Sequence, residues 1–354
     1  MKTVSVCVIA YNEEKFLPKL LGDIVAQTYP KKLTEVVLVN AMSIDKTREL
    51  MENFKDANYG FYSVKIVDNP KKNQASGWNK AIINATGDIL IRMDAHAVMP
   101  KEYVAQCVEM IDRGENIAGG PCHLMVEEKT LWSEILLMTE KSLFGSNISL
   151  SKRGVEKAYV KLMSHAAYRR DVFANVGGFN ENLLRTEDNE FHYRVRKAGY
   201  KLLFDPEAIT YQYARSSLKK MLRQKYGNGY WIGLTLGINP KCLAIYHFVP
   251  FCFVFGIVFT TILASVGIWQ LSALMWGLYA LFAVTNTVLS LKDNGFNKFF
   301  FVMPFLFLAL HISYGVGTLI GVLKMPFLRK KLKKCDAINE VKNAVKAGGT
   351  YEEV

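Results

Sequence analysis

Two stretches of this sequence contain no Asp, Glu, Lys or Arg: Cys242 to Leu291 and Phe299 to Leu323. A water-exposed helix needs a polar face, so uncharged apolar runs of this length read as helices embedded in a bilayer. The first run is long enough for a helical hairpin turning near Gly267–Ser272. The second, at a rise of about 1.5 Å per residue, reaches roughly 37 Å, enough to span. Lys324, Arg329, Lys330, Lys331, Lys333 and Lys334 follow it and favour a cytoplasmic face. These readings conflict in parity. With the polar part of the chain in the cytoplasm, three full crossings would carry the basic tail to the other side. Either Phe299–Leu323, with Pro304 and three glycines, is re-entrant or interfacial, or an earlier segment does not cross, or the charge bias fails. No carboxylate, lysine or arginine lies within the runs, which argues against a transport pathway.

The remainder, roughly 1–240, has the size of a catalytic domain. The net charge of +12 suits anionic lipid or phosphorylated substrates. No nucleic-acid-binding module accompanies it, so no nucleic-acid partner is expected. The six cysteines show no C-x-x-C spacing and read as reduced thiols. Val4–Ile9 is too short for the core of a secretory leader and runs directly into Asn12-Glu13-Glu14.

Apolar strands and helical periodicities alternate along this part. Val4–Ile9 is a strand, and Phe16, Leu17, Leu20, Leu21, Ile24 and Val25 give one helix face. Asn12 is placed to cap that helix, with two glutamates in its first turn. Glu35–Val39 and Val64–Val67 are further strands, and a helix near Ala75–Ala85 leads to a fourth, Ile89–Ile91. The alternation predicts a parallel α/β sheet with helices on both faces. No G-x-G-x-x-G or phosphate-binding G-x-x-x-x-G-K-[ST] is present. Residues 141–160 read as loop with some helix, 187–197 as a helix with acids at its start, and Gly199–Phe204 as the lead into an edge strand. Arg215–Leu236, basic with interleaved Tyr and Trp, reads as an interfacial amphipathic helix.

The fourth strand ends in Arg92-Met93-Asp94-Ala95-His96. Alternate residues of a strand share a face, so Asp94 and His96 emerge together where open α/β sheets hold ligands. Oxygen plus imidazole suits a divalent ion such as Mn²⁺ or Mg²⁺. His165, His192, His247 and His311 read as structural or interfacial.

Several spaced motifs agree: Ile9-Ala10-Tyr11-Asn12-Glu13, Glu35 to Thr47, Arg92 to Ala97, Val176-Gly177-Gly178-Phe179-Asn180-Glu181, Thr186-Glu187-Asp188 and Arg223-Gln224-Lys225-Tyr226-Gly227. In their order and spacing the chain resembles the family 2 glycosyltransferases, inverting enzymes of the GT-A nucleotide-diphospho-sugar fold, and is most similar to the succinoglycan-type exopolysaccharide transferases. The resemblance spans roughly 1–325. It implies a Rossmann-like mixed sheet followed by C-terminal transmembrane helices. The expected map is a catalytic domain over 1–213, an interfacial segment over 214–241, membrane helices over 242–323 and a basic cytoplasmic-type tail over 324–354.

The resemblance also implies roles. Asp94 and His96 fall on the D-x-D position, holding donor ribose and metal-diphosphate. Asp188 falls on the general-base position, with Glu187 beside it as a second acid. Tyr11, Glu13, Asn40 and Asp45 fall in donor-binding loops, and Arg223 and Gln224 near a motif that touches donor diphosphate and acceptor. Two departures stand out. Asn40 replaces the usual Asp and brings no charge, and His96 replaces the second Asp, which tilts the metal towards Mn²⁺. The implied activity is metal-dependent transfer from a nucleotide-sugar, first of all a UDP-sugar, to a lipid-linked saccharide in exopolysaccharide or capsule biosynthesis. The enzyme would be multi-pass in the plasma or inner membrane, with its catalytic domain cytoplasmic. Transfer onto a polyprenyl phosphate and a non-catalytic membrane scaffold are the alternatives.

Overall fold

A computed structural model describes residues 1–145, 156–215 and 217–348. The chain divides into two units, and neither is one continuous segment. The first comprises Met1–His123, Leu150–Gln212 and Lys334–Val354; the second comprises Leu124–Ser149 and Tyr213–Lys333. The expected map drew each domain as a single segment, whereas here Leu124–Ser149 joins the second unit and the chain from Lys334 returns to the first.

The first unit is built on β1 (Val4–Ala10), β2 (Thr34–Asn40), β3 (Ser63–Asp68) and β4 (Ile89–Asp94), parallel in the order β3-β2-β1-β4. Strands β1, β2 and β4 are buried almost throughout because helices cover both faces, which is why they read as unbroken apolar runs. The covering helices include α1 (Leu17–Val25), α2 (Thr47–Asp56) and α3 (Gln74–Asn84). Asn73 caps α3 by accepting from the Ser76 amide at 2.8 Å. Helix α1 has no side-chain cap. The Asn12 side chain instead accepts from the Ile44 amide at 2.9 Å, and Asp45 accepts from the Glu14 amide at 3.1 Å and the Thr47 amide at 3.0 Å. The loops after β1 and β2 are thereby laced together.

After β4 come β5 (Ala97–Val98), α4 (Tyr103–Asp112), β6 (Ile117–Gly119), β7 (Cys122–Met125), α5 (Leu131–Lys141), β8 (Ala158–Val160), β9 (Ala166–Arg169), α6 (Arg170–Val176), α7 (Glu187–Lys197), β10 (Leu202–Phe204) and β11 (Thr210–Tyr213). The large sheet continues β4-β9-β6-β10-β8, with β9 antiparallel to both neighbours, so the sheet is mixed. β10 is not an edge strand, because β8 pairs along it. Of the stretch 141–160, residues 146–155 lie outside those described.

Helix α12 (Ala337–Lys346) belongs to the first unit, not to a free basic tail. Val341 and Val345 enter the core beside Trp78, Phe173 and Phe179. The chain between α6 and α7 makes room for it. Gly177 has φ +84°, and a Cβ there would stand 2.3 Å from the Ile338 carbonyl, so only glycine fits. The Gly178 amide donates to that carbonyl at 3.1 Å.

The second unit contains α5, α8 (Leu218–Thr235), α9 (Val249–Ser265), α10 (Gln270–Asn294) and α11 (Met303–Lys333). Among the described residues three helices are long and apolar enough to cross a membrane, over Ile245–Ser265, Gln270–Asn294 and Phe300–Lys346. Helices α8 and α11 run parallel and touch through glycines: a Cβ at Gly229 would meet the Tyr314 carbonyl at 2.0 Å, and one at Gly317 the Tyr226 carbonyl at 2.2 Å. Lys225 of α8 and Glu140 of α5 form a buried ion pair at 3.0 Å.

Candidate active site

Strand register brings the expected residues to one sheet edge. Asp94 lies opposite Ile9, Asn40 opposite Ala10, and Asp68 opposite Asn40. The carboxyl ends of β1 to β4 are therefore level, and the Tyr11–Glu13 loop leaves from the same edge, where ligands bind in such sheets.

At this edge Asp94 and His96 converge on one group. The side-chain amide nitrogen of Gln212, on β11, donates to Asp94 Oδ2 at 3.1 Å and stands 2.9 Å from His96 Nε2. An amide nitrogen only donates, so His96 Nε2 is the accepting nitrogen and Nδ1 carries the hydrogen that faces Glu13 Oε1 at 3.1 Å. Two lone pairs thus aim at a common point, and a carboxylate fixes the imidazole from behind, as outer-shell acids do for metal-binding histidines. His165 is buried, with Nδ1 2.9 Å from Thr210 Oγ1 and Nε2 3.6 Å from Asp94 Oδ2. Burial opposes charge on Asp94, but His165 and Arg92 beside it hold its carboxyl well below the usual range. Gln74, at the start of α3, reaches Asp94 Oδ1 at 3.4 Å.

The pair Asp94 and His96 fits a divalent ion as two protein ligands. Among the described residues no group of three or more His, Cys, Asp or Glu side chains forms a complete cage.

The second centre is Asp188, in the first turn of α7, where the helix dipole favours a carboxylate. Arg92, two residues before Asp94 and on the same face of β4, grips it with both prongs, Nη1 to Oδ1 at 2.5 Å and Nη2 to Oδ2 at 2.8 Å. The guanidinium lies 4.8 Å from the Trp78 ring centre and 5.6 Å from that of Phe179. One strand thus carries both the expected metal ligand and the residue that holds the expected base. Beside it, Glu187 is buried and its Oε2 has no hydrogen-bond partner among the described residues. Burial, then the Asp188 charge, pushes the Glu187 carboxyl up to about 8.

The other expected residues are placed as follows. Tyr11 is exposed in the loop after β1. Asn40 is buried, accepting from the Ser43 amide at 3.0 Å and donating to Asp68 at 3.3 Å, so the negative charge at this edge sits one strand over. Both Asp45 oxygens are engaged by the loop amides described above. Arg223 and Gln224 lie on α8 of the second unit. His165, expected to be structural or interfacial, stands against Asp94. Gln212 and Gln74 carry no sequence signal that could have found them, since distant elements bring them in. Arg92 had one: a cation inside a buried apolar strand.

The sequence model of Glycosyl transferase family 2 matches residues 5–177. Glycosyltransferase AglE of Haloferax volcanii is 30% identical over 224 residues, 62% of this chain and 71% of the relative. The chain belongs to glycosyltransferase family 2. A second relative, the dolichyl N-acetyl-alpha-D-glucosaminyl phosphate 3-beta-D-2,3-diacetamido-2,3-dideoxy-beta-D-glucuronosyltransferase of Methanococcus voltae, is 25% identical over 92% of this chain and 98% of its own. Among solved structures, the mannosyltransferase PcManGT from Pyrobaculum calidifontis, in complex with GDP-Man and Mn²⁺, superposes with a TM-score of 0.61 at 19% identity, covering 90% of this chain and 87% of that one. The mixed sheet is thus the GT-A fold, and the chain is a glycosyltransferase with candidate membrane helices at its C-terminal end.

Proposed function

We propose that this glycosyltransferase moves a sugar, with inversion, from a nucleoside-diphosphate donor to a lipid-linked saccharide at the cytoplasmic face of the membrane, in exopolysaccharide or capsule assembly. The observation that carries the reading is β4 itself, whose Arg92 and Asp94 share one face, with Asp188 gripped by the first and His96 aimed beside the second. The relative from Methanococcus voltae is named for a sugar on a dolichyl phosphate, which supports a lipid-borne acceptor. The metal and donor seen with PcManGT support a divalent cation and a nucleotide-sugar.

Asp94 and His96 would hold the cation, Mn²⁺ in preference to Mg²⁺ because of the imidazole. When bound it supplies Lewis-acid stabilisation of the departing diphosphate. Tyr11, Glu13, Asn40 and Asp45 shape the donor pocket, Asn40 hydrogen-bonding without charge. Roles for Arg223 and Gln224 towards donor diphosphate and acceptor rest on the family resemblance alone. Asp188 takes the proton from the acceptor hydroxyl as it attacks from the side opposite the leaving group, so the anomeric centre inverts. Both its oxygens are engaged by Arg92, so the incoming hydroxyl must share one of them. A second reading makes Glu187 the base, favoured by its near-neutral carboxyl and its oxygen without a partner among the described residues.

Membranes carrying the protein are assayed against UDP- and GDP-sugars with lipid-linked acceptors, with and without EDTA. Asp188→Asn should lower turnover on the order of 10²–10⁴-fold with nucleotide binding retained. Full turnover in that variant, with loss in Glu187→Gln, would transfer the role to Glu187. A lipid monophosphate sugar as the only product would reject the saccharide acceptor.

A further inference from the structure

We propose that the chain crosses the membrane twice, through the α9–α10 hairpin alone, and that α11 lies in the lipid interface without crossing. The inference rests on the membrane reading above and resolves the parity conflict in the sequence.

Connectivity supplies the first argument. The chain leaves the first unit at Tyr213, the end of β11, and returns at Lys334 to dock α12 in its core. A segment that starts and ends in one water-soluble body crosses a bilayer an even number of times. Three candidate spans therefore cannot all be full crossings.

Helix packing identifies the one that is not. The Ser313 hydroxyl donates to the Leu222 carbonyl at 2.8 Å, a Cβ at Gly321 would meet the Tyr230 carbonyl at 2.1 Å, and Arg329 Nε donates to the Gly237 carbonyl at 3.0 Å. The two helices therefore advance together. The start of α8 follows β11 after residues 214–217, and the end of α11 precedes α12 by residues 334–336. At roughly 3.5 Å per residue these links reach about 15 Å each. From the level of α8's first turn to Lys333, α11 runs on the order of 35 Å at its helical rise. That exceeds a hydrocarbon layer of about 30 Å. If α11 crossed, one of its two short links would be on the wrong side.

Surface chemistry agrees. In α9 only Thr260 is buried, and in α10 only Ala283, Thr287 and Ser290, as expected for helices facing lipid on most sides. Helix α11 buries one broad face, and its exposed apolar residues Phe305, Ile312, Leu319, Leu323 and Phe327 fall in a single stripe. Its partner α8 exposes Lys219, Lys220 and Arg223. One exposed apolar stripe, in a helix pair that also exposes cations, describes a helix lying in the plane of the interface.

The test uses the full chain with different epitope tags at its two ends, in sealed membrane vesicles treated with protease before and after detergent. Both tags should be cleaved, or both protected, together. An impermeant maleimide should label Ile268→Cys, at the exposed hairpin tip, only from the opposite side, relative to the parent protein. Gln270→Cys serves if that variant does not accumulate. Tags on opposite faces would overturn the proposal and leave membrane insertion intact. A tip labelled from the same side as the tags would overturn the hairpin crossing. Release of the protein by alkaline carbonate would overturn the membrane reading as well.

Discussion

Arg92 is the residue on which the site turns, because it couples the strand that carries Asp94 to the carboxylate at the head of α7. Its fork matches the two oxygens of Asp188, and a lysine cannot reproduce that geometry. Arg92→Lys should therefore keep the charge yet lose turnover by about 10-fold or more, with donor KM little changed. Stability should fall by about 1–3 kcal/mol, the range for a hydrogen-bonded charge. Steady-state kinetics with a melting curve separates the two, and an unaltered kcat would remove Arg92 from the mechanism. Glu187 has its own signature. With its carboxyl raised from 4.5 to about 8, the folded state keeps a proton that the unfolded chain releases. The stability of the wild type should therefore fall as pH rises from about 4.5 to about 8, at up to about 1.4 kcal/mol per unit. Glu187→Gln lacks this dependence, so its advantage should be largest above pH 8 and vanish near pH 4.5 in denaturant titrations. The Asp94 and His96 pair was legible as a local pattern, and Asp188 as one of the acids at a helix start, its proposed role coming from the family resemblance. Gln212 and His165 were not, because only pairing among distant strands brings them to Asp94.

At the scale of elements, the strands easiest to read are those buried on both faces, although the half-buried β3 was legible too. β1, β2 and β4 are near-continuous apolar runs, and their order along the chain gives a parallel reading. β9, Ala-Ala-Tyr-Arg, has no such run. It takes its place between β4 and β6 through antiparallel pairing that no local pattern specifies. The same holds for α8 with α11. The sequence shows an amphipathic helix and an apolar one, but their contact depends on glycines that face each other only in three dimensions. A Cβ at Gly233 would stand 2.5 Å from the Thr318 carbonyl and 2.6 Å from the Val322 amide nitrogen, both backbone atoms that cannot swing aside. Gly233→Leu should force the pair apart and lower the thermal midpoint in detergent, an overpacking cost of about 1–3 kcal/mol or more. Gly277→Ala in α10, with nothing within 4 Å of the new methyl, should leave the midpoint unchanged or raise it. Equal behaviour of the two variants would dismiss the close approach.

For the whole molecule, the decisive feature is that the last helix belongs to the first domain. The basic residues before and within 324–354 suggest a solvated tail, and they obscure the helical spacing of Ala337, Val341, Ala344 and Val345. Those four form the face that fills the core beside α3 and α6. The Val-Gly-Gly-Phe-Asn motif, legible as a turn, is also the cradle for this helix. The consequence reaches the active site by contact. Gly178 meets Val341, and the next residue, Phe179, forms one wall around the Arg92 guanidinium. The Asn79 side chain accepts from the Phe179 amide at 2.7 Å and donates to Glu181 at 2.9 Å, tying that wall to α3. Val341→Asp would place an unpaired carboxylate in this core, where the side chain is 1% exposed. It should cost more than about 3 kcal/mol. At temperatures where the variant is still folded, kcat should fall as the Phe179 wall loosens its hold on Arg92 and, through it, on Asp188. Asn343→Asp, exposed on the same helix, adds the same charge and should change stability by less than about 0.5 kcal/mol and leave kcat alone. Melting curves and turnover measured side by side decide the matter: a Val341→Asp enzyme with full activity and an unshifted midpoint would mean that α12 is a passenger and not part of the catalytic domain.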